Sequence, residues 1–472
     1  MSFSLRKFFT RNAAKPPANP LQEDNPTPQE IETLAALFTE GRNTEAATIA
    51  QTMTVRFPLH GLGWKALGVA FKRMGRSADA LAPMQEAAAL LPNDAEAHSQ
   101  LGGAFLDLGR LDEAEASCRR ALEINPDTAE AHGNLGNILQ AQNRLDEAAA
   151  SYRRALEINP EFAGVHSNLG NTLKHMGRLD EAEASYRRAL QINPDFAEAH
   201  GNLGNTLEEQ GRLDEAEASY RRALEINPDF VEAQNNLGNT LQDLGRLVEA
   251  EASYRRALEI NPDFAEAHVN LSATLKTLGR LVEAEASCRR ALEIKPDFAA
   301  AHSNLGNALQ GLGRLDEAVA SYRRALELKP DFVDAHGNLI FTIDLIESYS
   351  ISDQQAERRR WYEQHGQRFA GAIKPHDNLP DPERRLRIGF VSADFRQHSA
   401  YYIFSPIILC HDRSAFDVVC YSGVKVEDDC TARLRQAAHE WRSTLGLSDE
   451  ALAEQIRRDR IDILVDLSGH TA

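Results

Sequence analysis

Asp394 and His398 stand four residues apart behind an apolar run near the end of the sequence, and His470 follows a second such run. Imidazole titrates near neutral pH, so either histidine is a candidate proton acceptor, and Asp394 is placed to orient the ring of His398. Taken alone, each reads first as an ordinary loop histidine, and spacing leaves the activity undecided. A second set of residues is made of asparagine. It recurs at Asn134, Asn168, Asn202, Asn236, Asn270, Asn304 and Asn338, and three residues further on at Asn137, Asn171, Asn205, Asn239 and Asn307. An amide offers both a donor and an acceptor, which suits an extended peptide backbone running along a groove.

Asparagine is up to about 0.7 kcal/mol worse than alanine in a helix, so an exposed helix position has no structural reason to prefer it. Duplication of one accidental residue is the competing explanation. Drift elsewhere weakens it: the solvent-side slot four residues beyond the second asparagine position reads Asp107, Ala141, His175, Glu209, Asp243, Thr277 and Gly311, while the first asparagine slot holds from Asn134 onward.

Both sets need a scaffold, and the asparagines have a periodic one. Proline falls at 58, 92, 126, 160, 194, 228, 262, 296 and 330, so nine units of 34 residues lie head to tail from Thr27 to Phe332. A fixed period of that length means stacked supersecondary units. In the plainest copy, Ala197 to Phe230, apolar or small residues recur at helical spacing in both halves: His200, Leu203, Gly204 and Leu207, then Leu213, Ala216, Tyr220, Ala223 and Leu224. Two amphipathic helices follow, and at 100° per residue Asn202 and Asn205 fall opposite the core-facing side, towards solvent. Gly211 supplies a left-handed residue after the first helix, a slot filled by Asn143 in one copy. Pro228 ends the second helix, and Asp195 with Glu198 reads as an N-cap and N3 pair for the next. These positions, with Trp64 in an early copy, resemble the tetratricopeptide repeat. Stacked units of that kind bury a continuous core and curve into an all-α solenoid with an extended concave surface, where protein clients bind in extended form. The two degenerate copies between Thr27 and Asp94 read as its cap.

Net charge is −18, carried largely by pairs such as Asp214 and Glu215 at the start of second helices, where they favour the helix dipole. A solvated acidic surface makes nonspecific nucleic-acid binding a poor reading. Five cysteines make neither a disulfide framework nor a zinc pattern, and no metal is expected. Residues 1–26, basic and proline-rich with scattered phenylalanines, read as a disordered leader. No apolar run is long enough for a signal core or an integral membrane span, so a cytoplasmic protein is expected. No residue decides whether the array pairs with a second copy, so a homodimer stays open.

After the array, residues 333–385 read as capping helices and a linker, with Ser352 or Asp353 capping a helix from Gln354 to Phe369. A new texture starts at Leu386. Strands are expected at Leu386 to Val391, Phe416 to Tyr421 and Ile461 to Leu467, with helices at Tyr401 to Cys410, Thr431 to Trp441 and Ser448 to Arg458. That order begins a doubly wound parallel sheet, whose ligands sit beyond the carboxyl ends of the strands. Three loops qualify: Asp394 to His398, Tyr421 to Val424, and Ser468 to His470. No phosphate-binding glycine fingerprint follows the first strand, which disfavours a dinucleotide enzyme or a P-loop hydrolase.

The stretches Leu386 to His398, Phe416 to Ser422 and Ile461 to Ala472, set after tetratricopeptide repeats, resemble the O-GlcNAc transferase and SPINDLY family. The resemblance implies a two-lobed, Rossmann-like glycosyltransferase that moves a sugar, N-acetylglucosamine from UDP-GlcNAc before other donors, to Ser or Thr of a protein held by the repeats. It implies no permanently bound cofactor. It also places the family's asparagine ladder on the slots above and its active-site histidine on His398, with Ser399 where the family usually has proline. Residues 386–472 then correspond to part of the first lobe only, so the sequence reads as cut off inside a domain and inactive by itself. The alternative from another class is a noncatalytic tetratricopeptide scaffold that binds extended protein segments.

Overall fold

The computed structural model describes residues 25–372, 374, 378–381 and 383–467, so the expected leader up to Asp24 and the loop with His470 lie outside the described residues. The chain forms two compact units, one ending at Leu278 and one beginning at Gly279.

Over its described residues the first unit is built of helices. Seven helix pairs run from Pro28–Thr39 with Asn43–Arg56 to Val231–Asp243 with Leu247–Ile260, and Ala265–Thr277 follows. The copy that sets the pattern pairs Ala197–Glu209 with Leu213–Ile226. Gly211 turns the chain between them at φ 75°, and Asn143 does the same at 60°. The first helix buries Leu203 and Leu207, the second Ala216, Tyr220 and Ala223. Gly204 is set by that tyrosine: a Cβ there would lie 2.7 Å from the ring of Tyr220.

Two expectations about this unit need correction. Asp195 does not cap the helix that begins at Ala197; Phe196 occupies the N-cap, with no side-chain cap bond. Asp195 instead accepts from Arg222 Nη2 at 2.9 Å. Phe230, the phenylalanine one repeat later, sets its ring against Gly201, where a Cβ would come within 3.1 Å. His200 is not a core residue either. Half-exposed, it donates from Nε2 to the carbonyl of Pro194 at 3.1 Å, tying the start of one repeat to the turn before it. His132, His166 and His302 make the same bond to Pro126, Pro160 and Pro296, and Trp64 makes it to Pro58 through its indole N–H.

In the second unit the helices Leu281–Ile294, Ala299–Gly311, Leu315–Leu328 and Val333–Asp344 continue the pattern. A helix at Ile351–Trp361 follows, capped by Ser350 with Asp353 in a reciprocal box, two or three residues earlier than the sequence suggested, and it widens into a π turn at Tyr362–Gly366. Here the recurrent histidine changes partner. His336 is buried and donates from Nε2 to Glu357 Oε1 at 3.1 Å, while its Nδ1 meets His365 Nε2 at 3.1 Å. Arg360 adds a bond to the other oxygen of Glu357 at 2.8 Å.

This joint sets a pH limit. Burial holds the His365 imidazole below its ordinary value, with Arg368 adding to and Asp331 opposing the effect, so the unfolded chain takes up a proton that the folded joint refuses. Stability from this group is therefore complete above about pH 6.5 and declines as the pH falls from there. The Glu357 carboxyl is also held low, first by the bond from His336, so its contribution is present above about pH 4.3 and is lost as the pH falls through its folded value. Amide exchange across Ile351–Gly366 should quicken between pH 6.5 and 5, before the repeat helices respond; uniform exchange throughout the unit would contradict this.

Among the described residues the α/β part has four strands: β1 (Leu386–Ser392), β2 (Phe416–Ser422), β3 (Glu440–Ser443) and β4 (Ile463–Asp466). All pairs are parallel, in the order β3-β2-β1-β4. The sequence suggested three strands. The difference lies at Trp441, expected in a helix: the helix Asp429–Ala437 stops short, and the chain turns into β3. His439 drives that turn, donating its N–H to the Val418 carbonyl at 2.8 Å and accepting the Val418 N–H on Nδ1 at 3.0 Å. Trp441 then packs against Phe395 with ring centroids 5.3 Å apart. The helices Ser399–Cys410 and Asp449–Arg458 stand where expected, the second capped by Ser448.

Asp462, just before β4, ties the entry segment to the sheet. It accepts from Arg384 through both terminal nitrogens, Nη1 at 2.7 Å, from Asn378 Nδ2 at 2.6 Å, and from the N–H of Arg387 at 2.8 Å.

Candidate functional site

The strand order places a topological switch between β1 and β4, since the chain runs outward from β1 through β2 to β3 and returns to the other side for β4. Ligands of such sheets bind beyond the carboxyl ends of the strands at the switch. The loop after β1 carries Asp394 and His398 to that place. It is clamped from the side: Asp428 accepts the N–H of Gln397 at 2.6 Å, and Thr431 donates its hydroxyl to the carbonyl of Phe395 at 2.7 Å. Asp428 also caps the helix Asp429–Ala437 through the N–H of Thr431, and the bond from Gln397 leads in holding its carboxyl below the usual range. Sequence reasoning missed both residues, although Asp-x-x-Thr before a helix was a readable cap.

His398 is the N-cap of the helix Ser399–Cys410, its Nδ1 accepting the N–H of Ala400 at 3.3 Å. Ser399 thus takes the first helical position, where proline would sit without loss because that N–H has no helical partner. The cap bond fixes the neutral ring with its proton on Nε2, which makes the exposed edge a donor. Asp394 Oδ2 lies 3.8 Å from Nδ1, beyond hydrogen-bond distance, so it does not orient the ring in this state. Turning Nδ1–H to Asp394 would free Nε2 as a base. His470, the other candidate, lies outside the described residues.

The asparagines are not the solvent-facing residues expected from helical angles. All are half-buried, and most are bonded within the protein. In the second slot, Oδ1 of Asn137, Asn171, Asn205, Asn239 and Asn307 accepts from the hydroxyls of Tyr152, Tyr186, Tyr220, Tyr254 and Tyr322, at 2.6 to 2.8 Å. In the first slot, Asn168, Asn236, Asn270 and Asn338 donate from Nδ2 to the second-slot oxygen of the repeat before, at 2.8 to 3.0 Å. Asn134 donates to the carbonyl of Ser99 at 3.1 Å. Asn202 makes no such bond among the described residues, and Asn304 has partners of its own. A structural reason for asparagine therefore exists: each of those tyrosines is fully buried and its hydroxyl needs an acceptor. In the first unit Asn134, Asn137 and Asn168 line an open groove of about 510 Å³, with Val69, Phe162 and Val165 as apolar wall and Lys72, Glu96 and Glu130 as charges.

Tetratricopeptide repeat profiles match residues 35–95, 93–161, 161–229, 207–275, 241–309 and 299–332, and the glycosyl transferase family 41 profile matches residues 369–472. The chain is a tetratricopeptide repeat array carrying a glycosyl transferase family 41 region. Among curated relatives, a probable UDP-N-acetylglucosamine–peptide N-acetylglucosaminyltransferase SPINDLY of Arabidopsis thaliana is 41% identical over 100 residues, 20% of this chain and 11% of that protein. The UDP-N-acetylglucosamine–peptide N-acetylglucosaminyltransferase of Caenorhabditis elegans is 36% identical over 92 residues, 19% of this chain and 8% of that protein. The matches to these relatives thus span about a tenth of their length. A solved Thermobaculum terrenum O-GlcNAc transferase mutant is 36% identical, with a TM-score of 0.45, covering 51% of this chain and 46% of that one. The family 41 region includes all four strands and the loop with Asp394 and His398. Among the described residues no helix is long and apolar enough to cross a membrane.

Proposed function

We propose that this chain serves as the client-binding and first-lobe part of a cytoplasmic protein O-glycosyltransferase, moving N-acetylglucosamine from UDP-GlcNAc to Ser or Thr hydroxyls. The observation that carries the reading is the family 41 match over residues 369–472 directly after the repeats. The five free cysteines accord with a reducing compartment. In the reaction the hydroxyl oxygen bonds to the anomeric carbon as the bond from that carbon to phosphate breaks, and the nucleoside diphosphate leaves with the electron pair. The hydroxyl proton needs an acceptor, and His398 with Asp394 at the β1/β4 switch is the pair assigned to take it, with His470 as second candidate. The client segment lies along the asparagine slots, where amides meet its backbone.

The product of the complete gene, given labelled UDP-GlcNAc and a pool of random-sequence peptides containing Ser and Thr, should label the peptides and release UDP. Peptide binding without transfer from UDP-GlcNAc or GDP-fucose would establish the scaffold reading instead. The client side has its own test. Changing Asn168, Asn202, Asn236 and Asn270 to alanine should weaken binding of the pool at least tenfold, because each amide bond is worth about 0.5 to 1.5 kcal/mol. Melting should move little, since lost inter-repeat bonds are offset by the better helix propensity of alanine, about 0.5 kcal/mol a residue. Unchanged affinity by calorimetry would remove the peptide-binding reading of these slots.

A further inference from the structure

The tyrosine hydroxyls do more than satisfy themselves. A second-slot asparagine oxygen has two lone pairs, and in three repeats of the first unit both are taken: Asn137 by Tyr152 and Asn168, Asn205 by Tyr220 and Asn236, Asn239 by Tyr254 and Asn270. Asn307 is filled in the same way by Tyr322 and Asn338. With its oxygen turned to the core, the same amide presents its Nδ2 outward, and among the described residues no protein group accepts from Nδ2 of Asn137, Asn171, Asn205, Asn239 or Asn307. Three first-slot asparagines are oriented the opposite way: Asn168, Asn270 and Asn338 spend Nδ2 on their neighbour, and among the described residues no protein group donates to their Oδ1.

The primary sequence bears the same coupling. Tyrosine stands at 152, 186, 220, 254 and 322, and in each of those copies the second slot is asparagine. The two copies with Cys118 and Cys288 in the tyrosine position carry Gly103 and Ala273 there instead. A thiol needs no acceptor, and where the hydroxyl is gone the asparagine is gone too. First-slot Asn270 persists in the Cys288 copy, so loss of the second-slot amide is tied to the tyrosine and not to general decay of the repeat.

We propose that Tyr152, Tyr186, Tyr220, Tyr254 and Tyr322 are positioning residues that lock each second-slot asparagine as a pure donor to client backbone carbonyls, leaving the first-slot asparagines as acceptors for client N–H groups. The inference rests on the reading that these slots hold an extended peptide. Where the first-slot oxygen is also open, as at Asn168 beside Asn171, the repeat offers one donor and one acceptor in fixed order, which gives the ladder a direction along the client; at Asn236 the oxygen is taken by Asn235. The copies with Gly103 and Ala273 are gaps where the donor is missing.

The test uses the full chain and a fluorescein-labelled pool of random-sequence 15-residue peptides, in 0.5 M salt to screen added charge. Changing Asn137, Asn171, Asn205 and Asn239 to aspartate keeps an acceptor for each of their tyrosines but removes four of the five outward amides; binding should fall at least tenfold with melting near the parent value. Changing Tyr152, Tyr186, Tyr220 and Tyr254 to phenylalanine keeps the rings but frees the amides to rotate, and binding should fall several-fold. A purely structural role for the tyrosines would move melting alone. If both variants bind the pool as the parent does while the first-slot alanine variant loses it, the positioning role is overturned and peptide binding stands. If the first-slot alanine variant also binds normally, the peptide reading itself has failed.

Discussion

His398→Ala lowers sugar transfer by about 10² to 10⁴ in the product of the complete gene, while affinity for the peptide pool stays at the parent value. The loop after β1 brings this ring to the switch of the parallel sheet, and Asp428 with Thr431 holds the loop still. As placed, the ring caps the helix Ser399–Cys410 and carries its proton on Nε2. To act as a base it must give up a 3.3 Å cap bond and turn Nδ1–H towards Asp394, 3.8 Å away. Loss of a cap bond costs about 1 kcal/mol, small beside the 3 to 5 kcal/mol that such a rate factor represents. Asp394→Asn should therefore also reduce turnover, because it weakens the state in which Nε2 is free. Peptide affinity is unaffected because the client slots lie on repeat helices and His398 lies on the loop after β1. Turnover of His398→Ala near the parent rate would move the assignment to His470 or away from this region.

The second large effect is on folding. Asp462→Ala should destabilise the α/β part by about 1.5 to 3 kcal/mol, the range for hydrogen bonds to a charged group. Its carboxylate is only 9% exposed and collects donors from Arg384, Asn378 and Arg387, residues 75 to 84 positions earlier in the chain. The bonds from Arg384 lead in holding this carboxyl far below the usual carboxylate range. Its contribution is therefore complete above about pH 4 and is lost only as the pH falls through the folded value, in strong acid. Asp462→Asn keeps one acceptor and should cost less. Urea melts followed by amide exchange in β1 and β4 would decide it; equal protection in parent and alanine variant would show that the tie is superfluous.

The repeat was legible because its punctuation is periodic: prolines every 34 residues, and Gly211 or Asn143 at a turn that demands positive φ. Local rules failed where partners from elsewhere in the chain outranked them. Asp195 looked like a cap, but Phe196 holds the N-cap. Trp441 looked helical, but β2 offered Val418 to His439 and drew the chain into an edge strand. The asparagine slots were found for an incomplete reason, since helical angles put them towards solvent while the hydroxyls that claim their oxygens lie 15 residues on. That pairing was available in the sequence through Cys118 and Cys288. The donors around Asp462 were not, because no spacing rule reaches across 75 residues.

One slot in the repeat does a different job at each end of the array. Trp64 and the later histidines grip the proline carbonyl just behind them, whereas His336 releases that grip and takes Glu357 and His365. The closing hardware is thus carried entirely by the last copy and its successor helix, and the opening cap of Thr27 with Glu30 entirely by the first. The copies that carry Tyr152, Tyr186, Tyr220 and Tyr254 share one length and both asparagine slots, and are interchangeable parts. Gain or loss of one whole copy would change the span of client that can be gripped by a fixed step, while leaving the molecular fastenings at both ends untouched.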